Sequence, residues 1–160
     1  MPSMNELLQQ QVEIIDRVGW SVVHVFPDPG DPPTNVAFTY TVGLTAHDHP
    51  ELVLAGLTPQ IAQALLNDLG RRVFDQAARF SHGERLSDVL AGYDAIIVDG
   101  APNDVLHPGI AFRLYGRDKV RLQQLVWPDQ DGRFPWDSGY GYPPHAQPLI
   151  ANPETLPPAE

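Results

Sequence analysis

The stretch "VAFTYTVGLTAHDHPELVLAGL" (residues 36–57) carries two strand signals separated by a polar turn. On an extended chain, Val36, Phe38, Tyr40, Val42 and Leu44 share one face, and Ala37, Thr39, Thr41 and Gly43 share the other. The first face is bulky and core-like. The second is small and hydroxyl-bearing, and is either solvated or the floor of a site. Residues 51–57, "ELVLAGL", are almost continuously apolar, the pattern of a central strand covered on both faces. Between the two runs, "HDHPE" places two histidines and two acids within five residues.

The flanking sequence supplies helices and further strands. Ser3 and Glu6 have the spacing of a capping box, and Leu7, Leu8, Val12, Ile14, Ile15 and Val18 form a helical stripe ending at Gly19. That spacing predicts a helix over 4–18. In "WSVVHVF" (20–26) the period falls to two, with Trp20, Val22, His24 and Phe26 on one face. "PDPGDPPTN" (27–35) is a loop, because its four prolines and glycine cannot hold a ladder. Thr58 and Pro59 open a second helix, 59–75, with a stripe of Ile61, Ala62, Leu65, Leu66, Leu69 and Val73. "YDAIIVDG" (93–100) reads as a buried strand, 102–109 as a loop and 110–116 as a short helix. "KVRLQQLVWPDQDGRFPWD" (119–137) reads as a strand, a turn at 129–132 and a short return.

These elements predict an α+β domain over residues 1–142. Its sheet is mixed or antiparallel, has five or six strands, resembles a split barrel in its pattern, and carries the two main helices on its apolar face. Residues 143–160 hold six prolines. They form a tail or an extended strap, which Leu149 and Ile150 could pin.

Composition narrows the function classes. Ten basic residues stand against twenty acidic ones, a net charge of −10, with no lysine or arginine run. Nucleic acid and anionic membranes both reward clustered cations, so neither is an expected partner. There is no cysteine, which removes disulfides, thiolate metal sites and cysteine nucleophiles together. No apolar run is long enough to span a bilayer, and "MPSMNELLQQQVEII" lacks the pattern of a signal peptide. A soluble cytoplasmic protein is the expectation, and a homo-oligomer is compatible with it. The motifs of serine hydrolases, P-loop NTPases, dinucleotide-binding folds and zincins do not occur.

The best candidate for chemistry is "HDHPE". On an extended segment His47 and His49 point the same way, and with Asp48 or Glu51 they could bind a divalent metal, given a third ligand such as His24 or His107. The competing reading is a polar turn whose side chains cap free backbone amides. His24 is either a core histidine bonded to its neighbours or a desolvated base facing a pocket. Trp127, Asp129 and Trp136 cluster around the late turn, and such aromatics either wall a flat ligand or pack over an open sheet. His82, in "SHGER", reads as a surface-turn residue, and "RLYGRDKVR" (113–121) as a solvated face.

Three separated motifs carry a family resemblance: "FTYTVGLTAHDHPELVLAGL" (38–57), "AQALLNDL" (62–69) and "LQQLVWPDQDGRFPWD…QPLI" (122–150). In this order they resemble the bacterial family catalogued as domain of unknown function 4262, over about residues 19–150. The resemblance implies an intracellular bacterial protein and implies no activity. A looser pattern, a hydroxyl-bearing strand leading through a short loop into a buried strand, is similar to split-barrel flavin-binding proteins. Flavin therefore joins a divalent metal as a cofactor to consider, although "GDPPTN" offers no phosphate cradle.

Two functional readings follow. In the first, a small molecule sits on Thr39 and Thr41, with His24, Trp127, Asp129 and Trp136 around it. His47 or His49 then serves as general base. In the second, a non-enzymatic domain meets a protein partner through its acidic surface, aromatic loop and tail. The small-molecule ligand is preferred, because the most unusual residues are polar.

Overall fold

In a computed structural model, the structure describes residues 3–33, 35–151 and 156. Helix α1 (Met4–Val18) starts at Ser3, whose hydroxyl accepts from the Glu6 amide while Glu6 reaches back to the Ser3 amide; it stops at Gly19. Strands β1 (Ser21–Val25) and β2 (Phe38–Val42) follow. After a 3₁₀ turn (Leu44–His47) comes β3 (Glu51–Ala55). Helix α2 (Pro59–Gln76) is capped by the Thr58 hydroxyl and begins with proline, as its sequence requires. The chain continues through β4 (Arg85–Leu90), β5 (Tyr93–Gly100), α3 (Gly109–Tyr115) and β6 (Leu122–Val126). Among the described residues no helix is long and apolar enough to cross a membrane.

The six strands form one open mixed sheet in the order β1-β2-β3-β6-β5-β4. It does not close, so the barrel-like variant of the expected sheet is set aside. Two antiparallel units, β1-β2-β3 and β6-β5-β4, meet at a parallel seam where Glu51, Leu52 and Val53 face Leu122, Gln123 and Gln124. β3 and β6 both begin at one end of this sheet, its foot, where β2 and β5 finish.

The alternating side chains of the central strands require cover on both faces. Leu52, Leu54, Ile97 and Leu125 pack under α2 with Ala62, Leu66 and Leu69. Phe38, Tyr40, Val53, Ala55 and Leu122 pack on the other face with α3. Leu54 and Ile97 are fully buried, as continuous apolar strands demand. The Tyr40 hydroxyl accepts from the Ile110 amide at the start of α3, and burial pushes its phenol up to about 12.

The two long helices do not share a face. α1 buries none of its residues fully, and its Ile15 joins the cluster beneath α3, across the sheet from α2. A sheet apolar on both sides cannot be covered by helices on one.

β4 was not expected, and the return strand after the 129–132 turn is not there. Residues 127–143 are instead an irregular loop closed by the Asp129 amide donating to the Arg133 carbonyl. The start of the C-terminal stretch is a strap. The Gln124 amide donates to the Pro148 carbonyl at 2.7 Å and accepts from the Ile150 amide at 2.9 Å. The side chain of Gln147 grips the Trp127 backbone the same way, accepting from its N–H and donating to its carbonyl. The strap crosses Gly100 so closely that a Cβ there would strike the Ile150 backbone. Leu149 and Ile150 both pack against the sheet. Residues 152–155 and 157–160 of the proposed tail lie outside the described residues.

Candidate functional site

The turn between β2 and β3 is built around a buried carboxylate. Glu51 is fully buried and folds back onto the residues that precede it. Its Oε1 accepts from the Thr41 hydroxyl at 2.9 Å and the Leu44 amide at 3.1 Å. Its Oε2 accepts from the Gly43 amide at 3.2 Å, the Thr45 amide at 2.9 Å and the Thr45 hydroxyl at 2.6 Å. Backbone and hydroxyl donors thus stand in for a cation, and Glu51 has no ion pair with any described residue. Burial pushes its carboxyl up, and the bonds from Thr45, Thr41 and Gly43 only partly counter this. Gly43, at φ 126°, takes the backbone conformation that lets the chain wrap this carboxylate.

That turn separates the two histidines. Residues 44–47 are 3₁₀ and Asp48 is left-handed at φ 57°, so the extended alternation that would align His47 with His49 does not exist. His47 is exposed and lies edge-on to Phe74, while His49 is 1 % exposed and packs against Phe80.

His49 borders a cavity of about 670 Å³ at the foot of the sheet, under the 77–84 connection from α2 to β4. Arg79, His82, Asp99, Arg121 and Gln123 border it too. The His49 Nδ1 lies 2.7 Å from the Pro50 carbonyl. A carbonyl only accepts, so the ring proton sits on Nδ1 and Nε2 keeps a lone pair. That Nε2 is buried and has no partner. The Gln123 amide nitrogen donates to the Phe80 carbonyl at 2.7 Å and to Asp99 Oδ1 at 2.8 Å, which leaves its Oε1 buried and unpartnered as well. His82 Nδ1 accepts from the Asp99 amide at 2.9 Å.

Charge surrounds these acceptors. Burial lowers the pKa of His49 most; the Pro50 bond opposes that, and the charges of Arg79 and Arg121 lower it further. The ring is therefore a neutral acceptor at pH 7. Arg79 donates to the His47 carbonyl at 3.1 Å, and Arg121 donates to the Asp48 carbonyl at 3.1 Å and pairs with its carboxylate at 3.4 Å. Buried polar atoms are normally paired, and His49 Nε2 and Gln123 Oε1, on two residues that border the cavity, depart from that rule.

Asp48, which the sequence offers as a metal ligand, also borders this cavity, whereas His24, Thr39, Thr41, Trp127, Asp129 and Trp136 have structural partners and do not. His24 bridges Thr39 Oγ1 at 2.9 Å and Gln63 Oε1 at 3.1 Å, tying β1 and β2 to α2. Thr39 and Thr41 are buried under that helix, and Thr41 also accepts the Leu52 amide. The hydroxyl-bearing face is thus neither solvated nor a floor. The indole N–H of Trp127 donates to the Ala55 carbonyl, at the far end of β3 from His49, about 13 Å along a five-residue strand. Trp136 stacks on Phe134 in the cluster on the α3 side of the sheet. Asp129 organises its own loop: its carboxylate accepts from the amides of Asp131, Arg133 and Gly141 and from the Arg133 guanidinium. Burial pushes that carboxyl up, but these donors prevail and hold it below the usual range. Among the described residues no group of three or more His, Asp or Glu side chains is placed to hold a metal ion.

Sequence reasoning reached His49 but missed Arg79, His82, Asp99, Arg121 and Gln123. One signal was available. "LQQL" puts two glutamines in a strand otherwise read as buried, and a polar side chain there needs a partner. Gln124 finds partners in the strap, and Gln123 finds Phe80 and Asp99 while its oxygen stays unpartnered.

No curated protein and no solved structure matches the chain. A family profile, described as Domain of unknown function (DUF4262), matches residues 14–141. That span takes in all six strands and helices α2 and α3, together with every residue that borders the cavity. The chain belongs to the DUF4262 family.

Proposed function

We propose that the cavity at the foot of the sheet binds a small polar molecule, with His49 Nε2 as its proton acceptor. The observation that carries this reading is the pair of buried, unpartnered acceptors, His49 Nε2 and Gln123 Oε1, on one cavity. Its volume of about 670 Å³ suits a metabolite-sized ligand. The Pro50 carbonyl holds the ring in the tautomer a general base needs, and burial keeps it neutral. A ligand O–H or N–H set against Nε2 is thereby hydrogen-bonded or deprotonated. The cysteine-free composition suits the reducing cytoplasm in which such metabolites circulate.

The test joins native mass spectrometry of the purified protein to a screen of polar metabolites followed through the His49 ring nitrogens by NMR. The wild type is expected to hold a ligand that His49→Phe and Gln123→Met lose while staying folded. A wild type that binds nothing across the screen, or variants that bind as well as it does, would overturn the reading.

A further inference from the structure

We infer that the cavity selects a small zwitterion, with its N–H-bearing cationic group against His49, Gln123 and Asp99 and its anionic oxygens against Arg79 and Arg121. This rests on the cavity being a small-molecule site, as proposed above, and adds the chemical class of its ligand.

The cavity border carries two kinds of chemistry. One kind is acceptors: the lone pair on His49 Nε2, the unpartnered Oε1 of Gln123, and the Asp99 carboxylate that shares the Gln123 amide. The other is two guanidiniums, Arg79 and Arg121, in a chain with only ten basic residues and a net charge of −10. Arg79 bonds a backbone carbonyl and has no carboxylate partner among the described residues. Arg121 is paired with Asp48, whose side chain is 99 % exposed, so a ligand anion can replace it with little loss. Both guanidiniums keep N–H groups in the fork geometry suited to carboxylate or phosphate.

Simpler ligands leave part of this border unmet. A cation alone would satisfy the acceptors and face two guanidiniums. An anion alone would satisfy the arginines and face Asp99 and two lone pairs. An uncharged amide would pair the orphan atoms and leave Arg79 without an anionic partner. A molecule carrying both charges meets the acceptors and the arginines together, and its N–H group meets His49 as the neutral acceptor that burial favours.

The experiment follows the His49 ring and Gln123 side-chain signals of the isotope-labelled full chain as probes are added. Two zwitterions are used, 4-aminobutyrate and phosphoethanolamine, which separate a carboxylate from a phosphate end. Ethylamine, propionate, inorganic phosphate and propionamide supply the single-charge and uncharged comparisons. At least one zwitterion is expected to bind ten-fold or more tightly than any of the comparison probes. Arg79→Gln, Arg121→Gln and Asp99→Asn should each erase most of that advantage, while Arg17→Gln on α1 should not. If propionamide or ethylamine shifts the same signals as tightly as the zwitterions, the ligand class is wrong and the cavity remains a site. If no probe moves either signal at tens of millimolar, both the class and the site reading fall.

Discussion

His47 and His49 are two residues apart and do different work: the His47 ring sits edge-on to Phe74 with centroids 3.9 Å apart, whereas the His49 ring is sealed against Phe80 at 5.7 Å. Only His49 borders the cavity. His47→Ala should therefore change stability by no more than about 1 kcal/mol, the worth of an exposed aromatic contact, and leave ligand binding intact. His49→Ala should cost about 1–3 kcal/mol by emptying a buried site and should abolish binding. Urea titrations beside binding isotherms separate the two. Equal loss of binding from both variants would contradict the assignment.

The same ring makes stability depend on pH. Its folded-state pKa lies below the ordinary 6.5, so on acidification the unfolded chain takes up the proton first. The contribution is complete above about pH 6.5 and is lost as pH falls through the folded-state value. Glu51 acts in the opposite sense: its raised pKa means that the folded state takes up a proton first, which favours folding as the solution becomes more acidic. Melting temperatures between about pH 8 and pH 5 should fall more steeply in the wild type than in His49→Phe. Parallel slopes would show that His49 titrates as it does in the unfolded chain.

Glu51→Gln tests the turn. An amide offers one acceptor oxygen where the carboxylate offers two, and its NH₂ would face the Thr45 donors or the Thr41 and Leu44 donors. Leaving two or more buried donors unmet should cost about 3 kcal/mol or more. The loss should appear as a lower urea midpoint together with displaced His49 signals. A loss under about 1 kcal/mol would mean that the turn holds itself without the carboxylate.

Gly70 inverts a common rule. Glycine inside a helix usually gains about 1 kcal/mol on replacement by alanine. Here a Cβ would lie 2.6 Å from Trp20 Cε2, and that indole is fixed by a hydrogen bond to Asn67 and by contact with Phe74. Gly70→Ala should destabilise by about 1–3 kcal/mol through overpacking. Trp20→Phe, which replaces the bicyclic indole by a smaller single ring, should recover part of that loss in the double variant. A more stable Gly70→Ala protein would refute the contact.

Gln124→Ala should loosen the strap. Both of its bonds to residues 148 and 150 disappear, and the Ile150 amide is left without its acceptor. A loss of about 2 kcal/mol is expected, with new protease cleavage between residues 143 and 151. Unchanged cleavage would show that apolar contact alone holds the segment.

The strands and helices with clean periods were legible. α1 and α2 announce themselves by caps and stripes, and β2, β3, β5 and β6 by alternating or continuous apolar runs. β4 was not, because a register shift between Leu86 and Leu90 breaks its twofold alternation. The pairing of His47 with His49 failed for a related reason: an H-x-H spacing aligns two rings only on extended backbone, and Asp48 is left-handed. The cavity was illegible as a whole. His49, Arg79, Asp99 and Gln123 lie on four segments whose meeting depends on β6 entering between β3 and β5, and no local pattern encodes that order.

The parallel seam is where the two antiparallel units of the sheet meet. It pairs three positions, as the β2–β3 and β4–β5 edges do, and is the one parallel junction in the sheet. His49 enters it from one half, and Arg121 and Gln123 from the other. A molecule bound between them, as proposed, would act as a rivet across that joint. Amide hydrogens of β3 and β6 should then exchange more slowly as ligand is added, by the factor 1 + [L]/Kd, while those of the β4 edge hardly respond.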